Sequence, residues 1–189
     1  MKYVDNKTFH NINYTDTAGE AVEYENCVFQ NCDFSNADIS GCLFSDCQFM
    51  DCNLSLAKID KTAFQTVTFK NCKMLGLRFD SCNQFGLALS FQDCHLNHSS
   101  FFKLKLKKTT FNNCQLQETD FVESTLTGAL FSNCDLMGAM IENANLEKAD
   151  FRTAYNFDIN PDLNKIKKTR FSLNGLPGLL SKYDIIIDK

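Results

Sequence analysis

Large apolar residues recur at every fifth position along most of this chain, and few backbones satisfy that spacing. Stepping by five from Tyr24 meets Phe29, Phe34, Ile39, Phe44, Phe49, Leu54, Ile59, Phe64, Phe69, Met74 and Phe79. The series restarts at Phe91 and runs through Leu96, Phe101, Leu106, Phe111, Leu116, Phe121, Leu126, Phe131, Leu136, Ile141, Leu146 and Phe151. An amphipathic helix needs a period of about 3.6 and a half-buried strand a period of 2, so neither fits. The period requires a chain that turns a corner every five residues and points two of the five inward. Four such sides close a square coil of about 20 residues, within the range of solenoid repeats. Coils stacked at the strand spacing of about 4.8 Å would make about six coils and a rod core about 30 Å long.

A second series lies two residues before each large one. It reads Val22, Cys27, Cys32, Ala37, Cys42, Cys47, Cys52, Ala57, Thr62, Val67, Cys72 and Leu77, and resumes from Leu89 to Ala149. These side chains are mostly small, the size split that close packing of an interior demands. Two residues after each centre stand Asn31, Asn36, Gly41, Asp46, Asp51, Asn71, Gly76, Asn113, Gly128, Asn133, Gly138 and Asn143, types that tolerate tight bends.

Runs such as Ala149-Asp150-Phe151-Arg152-Thr153, Cys32-Asp33-Phe34-Ser35-Asn36 and Thr119-Asp120-Phe121-Val122-Glu123 resemble the pentapeptide-repeat family. The resemblance covers residues 22–153 and implies an all-β fold, a right-handed quadrilateral parallel β-helix. The expected organisation is an N-terminal cap over 1–21, the β-helix over 22–153 with a break near 80–90, and a C-terminal cap and dimerisation tail over 154–189.

All ten cysteines occupy the small inward position, Cys82 included. Reduced cysteine packs as a small hydrophobe, so core packing is the reading preferred over disulfides or a soft-metal site. So many inward thiols suit a reducing compartment, and with no apolar leader after Lys2 the expected location is the cytoplasm. His95 and His98 flank Leu96 at outward positions and read as surface residues rather than a metal pair. No phosphate loop, zinc spacing or nucleophile elbow is present, so no catalytic, cofactor or metal site is expected. No apolar run is long enough to cross a membrane.

Twelve residues separate Phe79 from Phe91 where two repeats need ten. Gln84 falls where a large apolar residue belongs, and a bulge or kink is expected near Phe85-Gly86. After Phe151, a non-repeat crossover begins at Ala154. A short helix is expected around Leu176-Pro177-Gly178-Leu179-Leu180-Ser181-Lys182-Tyr183, then a strand over Ile185-Ile186-Ile187. This ending either folds over the last coil or forms a two-fold interface. The dimer is the preferred reading, through Leu176, Leu179, Leu180, Tyr183, Ile185 and Ile187.

The ending is similar to that of the Qnr-type quinolone-resistance proteins and the microcin B17 immunity protein. That resemblance implies a rod imitating duplex DNA in the basic saddle of DNA gyrase or topoisomerase IV, with protection from a drug or toxin. A partner-facing acidic surface would then include Asp33, Asp38, Asp46, Asp120, Asp135 and Asp150. The charge map is not uniformly acidic. Residues 1–60 carry ten acids and three bases (net −7), 61–110 two and eight (+6), 111–155 seven and two (−5), and 156–189 four and six (+2). The basic belt comprises Lys61, Lys70, Lys73, Arg78, Lys103, Lys105, Lys107 and Lys108. A positive saddle would repel it. The alternative is therefore an interaction scaffold for another protein. Direct nucleic-acid binding is not expected from a chain of net charge −4.

Overall fold

In a computed structural model, described over residues 2–15 and 19–188, the five-residue period becomes a right-handed, four-sided parallel β-helix. Each repeat points its first and third residues inward and its second outward. The fourth and fifth turn the corner. Eleven short strands mark two sides: β1 Lys2–Asp5, β2 Thr8–His10, β3 Val22–Glu25, β4 Val28–Gln30, β5 Leu43–Ser45, β6 Gln48–Met50, β7 Ala63–Gln65, β8 Val67–Lys70, β9 Leu89–Gln92, β10 Thr110–Asn112 and β11 Leu130–Ser132. Face A is the sheet β1-β3-β5-β7, and face B is the seven-stranded sheet β2-β4-β6-β8-β9-β10-β11. Face C is a ladder of single bridges through Asn13, Asp33, Asn53, Lys73, His95, Gln115, Asp135 and Tyr155. Face D carries Asp38 and Lys58, then Arg78, Ser100, Asp120 and Met140.

Register follows from stacking identical sides. Phe29 lies beside Phe49, and Phe111 beside Phe131. Face B thereby builds a phenylalanine column through Phe9, Phe29, Phe49, Phe69, Phe91, Phe111, Phe131, Phe151 and Phe171. Successive rings stack at 4.5–5.6 Å. Rings of the neighbouring sides meet this column edge-on, as Phe101 and Phe121 do against Phe111 at 5.8 and 5.9 Å. Such pairs add about 0.5–1.5 kcal/mol each beyond the area they bury.

The small inward position has a second task. Its side chains donate to backbone carbonyls inside the coil: Cys72 Sγ to Phe49 O, Cys134 Sγ to Phe111 O, Thr62 Oγ1 to Ile39 O and Ser99 Oγ to Met74 O. Cysteine, serine and threonine thus fill the same gap as alanine and also satisfy a carbonyl. No cysteine is more than 7% exposed, and burial pushes the Cys47 thiol up to about 11. The expected result is that a thiol reagent at about pH 8, below the ordinary thiol value, leaves the folded chain unlabelled and modifies the denatured chain fully. Mass spectrometry reads the difference, and a rapidly labelled thiol in the folded state would contradict the packing.

Every corner residue read from the sequence adopts left-handed backbone, with φ between 51° and 70°. Leu56, Lys61, Thr66, Lys103, Lys108, Glu118, Glu123, Lys148 and Lys168 do so as well, although their side chains disfavour it. The geometry of the coil overrides local preference at these corners.

Three segments refine the expected organisation. Over its described residues, the stretch 2–15 pairs in register with the next coil, β1 with β3, β2 with β4 and Asn13 with Asp33. At the break, Ala63 still pairs with Asn83, a step of 83 − 63 = 20, whereas Val67 pairs with Leu89, a step of 89 − 67 = 22. The extra residues are confined between them. Gly86 turns with φ 68°, Leu87 packs against the core and Phe85 projects outward, 80% exposed.

Beyond Phe151 the coil resumes rather than ending at 153. Lys165 pairs with Asn145, Arg170 with Asp150, and Phe171 stacks on Phe151. The tail then forms 3-10 turns over Leu173–Leu179 and Ser181–Tyr183. Gly178 sits so close to Phe157 that a Cβ would lie 2.3 Å from its carbonyl oxygen, and its own carbonyl accepts from Ile159 N at 2.8 Å. Ser181 donates to Asp158, and Lys182 pairs with Asp162. The expected strand over 185–187 is not formed in the single chain.

Candidate interaction surfaces

The outward residue at the middle of each side explains the frequent Asp or Asn there. Its carboxylate or amide oxygen accepts from the backbone N–H two residues on, closing an Asx turn. Asp33 accepts from Ser35 N, Asp38 from Ser40 N, Asp120 from Val122 N, Asp135 from Met137 N and Asp150 from Arg152 N, at 2.8–3.2 Å. Asn53, Asn83 and Asn145 make the same bond. Five of the six acids picked out from the sequence are therefore built into corners, where asparagine serves equally well.

Nor do the six converge. Asp33 and Asp135 share face C but stand five bridged steps apart, about 24 Å at the strand spacing. Asp38 and Asp120 lie on face D, and Asp46 turns the corner after β5. Asp150 extends face B and is held by Arg152 at 2.7 Å and Arg170 at 3.8 Å. The hydrogen bond and charge of Arg152 keep the Asp150 carboxyl below its usual range. Asp135 accepts from the side-chain amides of Gln117 and Asn156.

A denser acidic group lies on the first coils of face A, and of its members only Asp46 stands out in the sequence. Asp5 and Glu25 are in register, Glu23 shares β3, and Asp46 follows one coil on. Tyr3 donates to Glu25 at 2.6 Å, and that bond raises the tyrosine to about 12. Glu23 and Glu25 are neighbours in sequence, but only the 20-residue register sets Asp5 and Asp46 beside them. The belt lysines, conversely, scatter: Lys70 is on face B, Lys73 on face C, and Lys61 and Lys103 at corners. Arg78 pairs with Asp80 at 2.7 Å and Lys103 with Glu123 at 3.4 Å.

His95 lies on the face C ladder, and His98 sits 3.2 Å from Glu118. Among the described residues there is no group of three or more His, Cys, Asp or Glu placed to hold a metal. No described helix is long and apolar enough to cross a membrane.

The tail presents the main apolar surface. Of the six residues assigned to an interface, Leu176, Tyr183, Ile185 and Ile187 are exposed, and Leu179 and Leu180 are half-buried. Leu179 packs against the core, so part of the tail does cap the last coil. Leu173 and Ile186, not among those six, are 82% and 92% exposed.

A four-sided parallel coil with apolar columns inside and Asx turns at its corners defines a solenoid of five-residue repeats. The chain belongs to the pentapeptide-repeat proteins: the family model described as a pentapeptide repeat region matches residues 22–90 and 88–156. Its fold is similar to that of trypsin-treated QnrB1, a plasmid-mediated fluoroquinolone resistance protein. The TM-score is 0.62 at 18% identity, with all of both chains covered. Full-length QnrB1 gives a TM-score of 0.56 at 18% identity, over 97% of this chain and 100% of that one. HetL, a pentapeptide-repeat protein involved in heterocyst differentiation regulation in the cyanobacterium Nostoc sp. strain PCC 7120, gives 0.52 at 12% identity, over 88% and 89%. These identities establish a shared fold. No curated protein matches the chain in sequence.

Proposed function

We propose that this chain is a non-catalytic, dimeric, cytoplasmic rod that binds a DNA-handling topoisomerase, DNA gyrase or topoisomerase IV, and so protects it from a drug or toxin. The observation that carries the reading is the acidic group on face A, Asp5, Glu23, Glu25 and Asp46, displayed on a rigid rod. A surface that normally neutralises phosphates attracts such a group. The full-length likeness in fold to QnrB1 supports it. The exposed aliphatic tail supports pairing of two copies by a two-fold axis, which closes the assembly.

The test is a gyrase supercoiling assay with purified protein, with and without a fluoroquinolone, at low and moderate salt. Glu23→Gln/Glu25→Gln removes charge from face A. Asp120→Asn/Asp135→Asn removes charge from faces C and D while keeping the turn-closing oxygen. The expected result is inhibition or drug rescue that fades with salt and is weakened by the first pair. No effect at micromolar protein would overturn the topoisomerase assignment.

The second reading is a scaffold for a different protein. It is favoured by the dispersal of Asp33, Asp38, Asp120, Asp135 and Asp150 around the rod. A pull-down that recovers another protein but no topoisomerase would select it.

A further inference from the structure

The lysines that look like part of a belt in the sequence regroup when the coil is closed. On face A beyond the break, one ladder of bridges runs Lys105, Thr125, Asn145, Lys165. The first and last rungs carry the same outward triad. Lys105, Lys107 and Lys108 surround inward Leu106, and Lys165, Lys167 and Lys168 surround inward Ile166. The two triads hold equivalent positions three rungs apart, about 14 Å at the strand spacing. All six lysines are exposed, and so is Lys148 at the corner between them. Among the described residues none of the seven takes part in an ion pair. The intervening outward positions are Thr125, Thr127, Gly128, Asn145 and Glu147, so the stretch contains one acid and no aromatic ring.

Stability does not account for this arrangement. Lys148 and Lys168 occupy corresponding corners on adjacent rungs, and like charges placed so closely destabilise. Lys108, Lys148 and Lys168 also hold left-handed backbone at φ 58°, 61° and 61°. The same corner elsewhere on the rod is filled by Asn6, Asn26, Asp46, Thr66, Gly86 and Gly128, mostly residue types that tolerate this backbone.

We propose that this lysine face is a docking surface for the phosphate backbone of duplex nucleic acid. Duplex DNA carries about one charge per 1.7 Å of axis, so a 14 Å length presents roughly eight phosphates, about half of them on one side. The two triads supply positive charge at both ends of that length, with small residues between them. Binders of single strands add aromatic platforms for bases, which this stretch lacks. Its lysines act as point charges toward phosphates, and the side-chain oxygen of Asn145 already accepts from Glu147 N, so binding independent of sequence is expected. The acids Asp5, Glu23, Glu25 and Asp46 on the first coils of the same face repel phosphate and confine the duplex to the lysine end. The net charge of −4 hides this site because the opposite charges are segregated along one face.

The test is fluorescence anisotropy of a labelled duplex of about 20 base pairs, one to two helical turns, with the full chain and no topoisomerase present. Binding is expected at low salt. With about four phosphates neutralised, it should fall about 100-fold between about 50 and about 200 mM salt. Lys165→Gln/Lys167→Gln/Lys168→Gln and Lys105→Gln/Lys107→Gln/Lys108→Gln should each weaken binding at least about tenfold and flatten the salt dependence. Lys61→Gln/Lys70→Gln/Lys73→Gln, which removes equal charge from other faces, should leave it unchanged. Absence of binding at tens of micromolar protein would overturn the proposal, as would equal loss in all three variants. Polyglutamate or single-stranded DNA competing as well as unlabelled duplex would overturn the assignment to a duplex. The gyrase assay is read separately, so either result can fail without the other.

Discussion

Phe111→Ala is expected to destabilise the rod by about 3–5 kcal/mol. Phe111 is fully buried, stacked between Phe91 at 5.1 Å and Phe131 at 4.9 Å, and met edge-on by Phe101 and Phe121. The surrounding walls cannot collapse into the space left by the ring, because β10 is held by β9 and β11 at fixed register. The loss therefore combines transfer energy with a cavity that stays open. In a solenoid each coil touches only its neighbours, so the defect also weakens the coupling between the two halves. Urea unfolding should show a lower midpoint and a broadened or two-step transition. Phe111→Leu, which leaves most of the volume filled, should cost well under half as much. A loss below about 1.5 kcal/mol for the alanine variant would mean that the column relaxes, contrary to rigid stacking.

The second large effect concerns the tail. Ile185→Glu/Ile186→Glu/Ile187→Glu is expected to convert a dimer to a monomer, measured by light scattering after size exclusion. These three side chains are exposed in the single chain and lie past the last contacts that anchor the tail, Ser181 to Asp158 and Lys182 to Asp162. The substitution therefore removes apolar surface without undoing the cap. Deleting residues 176–189 goes further. It takes away Gly178 and Leu179, uncovers Phe157 and the final coil, and should give monomer or aggregate. If the triple variant and the deletion both remained soluble dimers, the tail would not be the interface.

Most of the interior was legible because, outside the break and the late residues Phe157 and Ile159, its inward residues obey one spacing. The columns, the cysteine positions and the corners at Asn31, Gly41 and Asn113 follow from counting by five. The exposed surface was less legible, for a physical reason. Neighbours across coils are separated by 20 residues, or by 22 where the pair spans the break at Gly86, so charges close in sequence point to different sides. Lys70, Lys73 and Arg78 look like a cluster and occupy three faces, whereas Lys108, Lys148 and Lys168 look unrelated and share one corner row. Asp120 and Asp135 stood out as acids, but each closes a turn that Asn closes elsewhere. Asn156 and Pro161 interrupt the apolar series, which hides the pairing of Lys165 and Arg170 with the preceding coil from a count by five. Thr169 and Phe171 resume it in phase.

The two surplus residues at Phe85-Gly86 bear on how such a rod can change length. They are extruded locally, and by Leu89 the chain is back in step, so every later side keeps its orientation. A gain or loss of one whole circuit would lengthen or shorten the molecule by a single graduation and leave its chemical lettering aligned. A gain of five residues without extrusion would instead rotate all downstream lettering by a quarter turn, moving the lysine rows away from the side that bears the N-terminal acids. The protein thus behaves as a ruler with one built-in slip joint, and the relative bearing of its two halves depends on that joint absorbing its extra length outward.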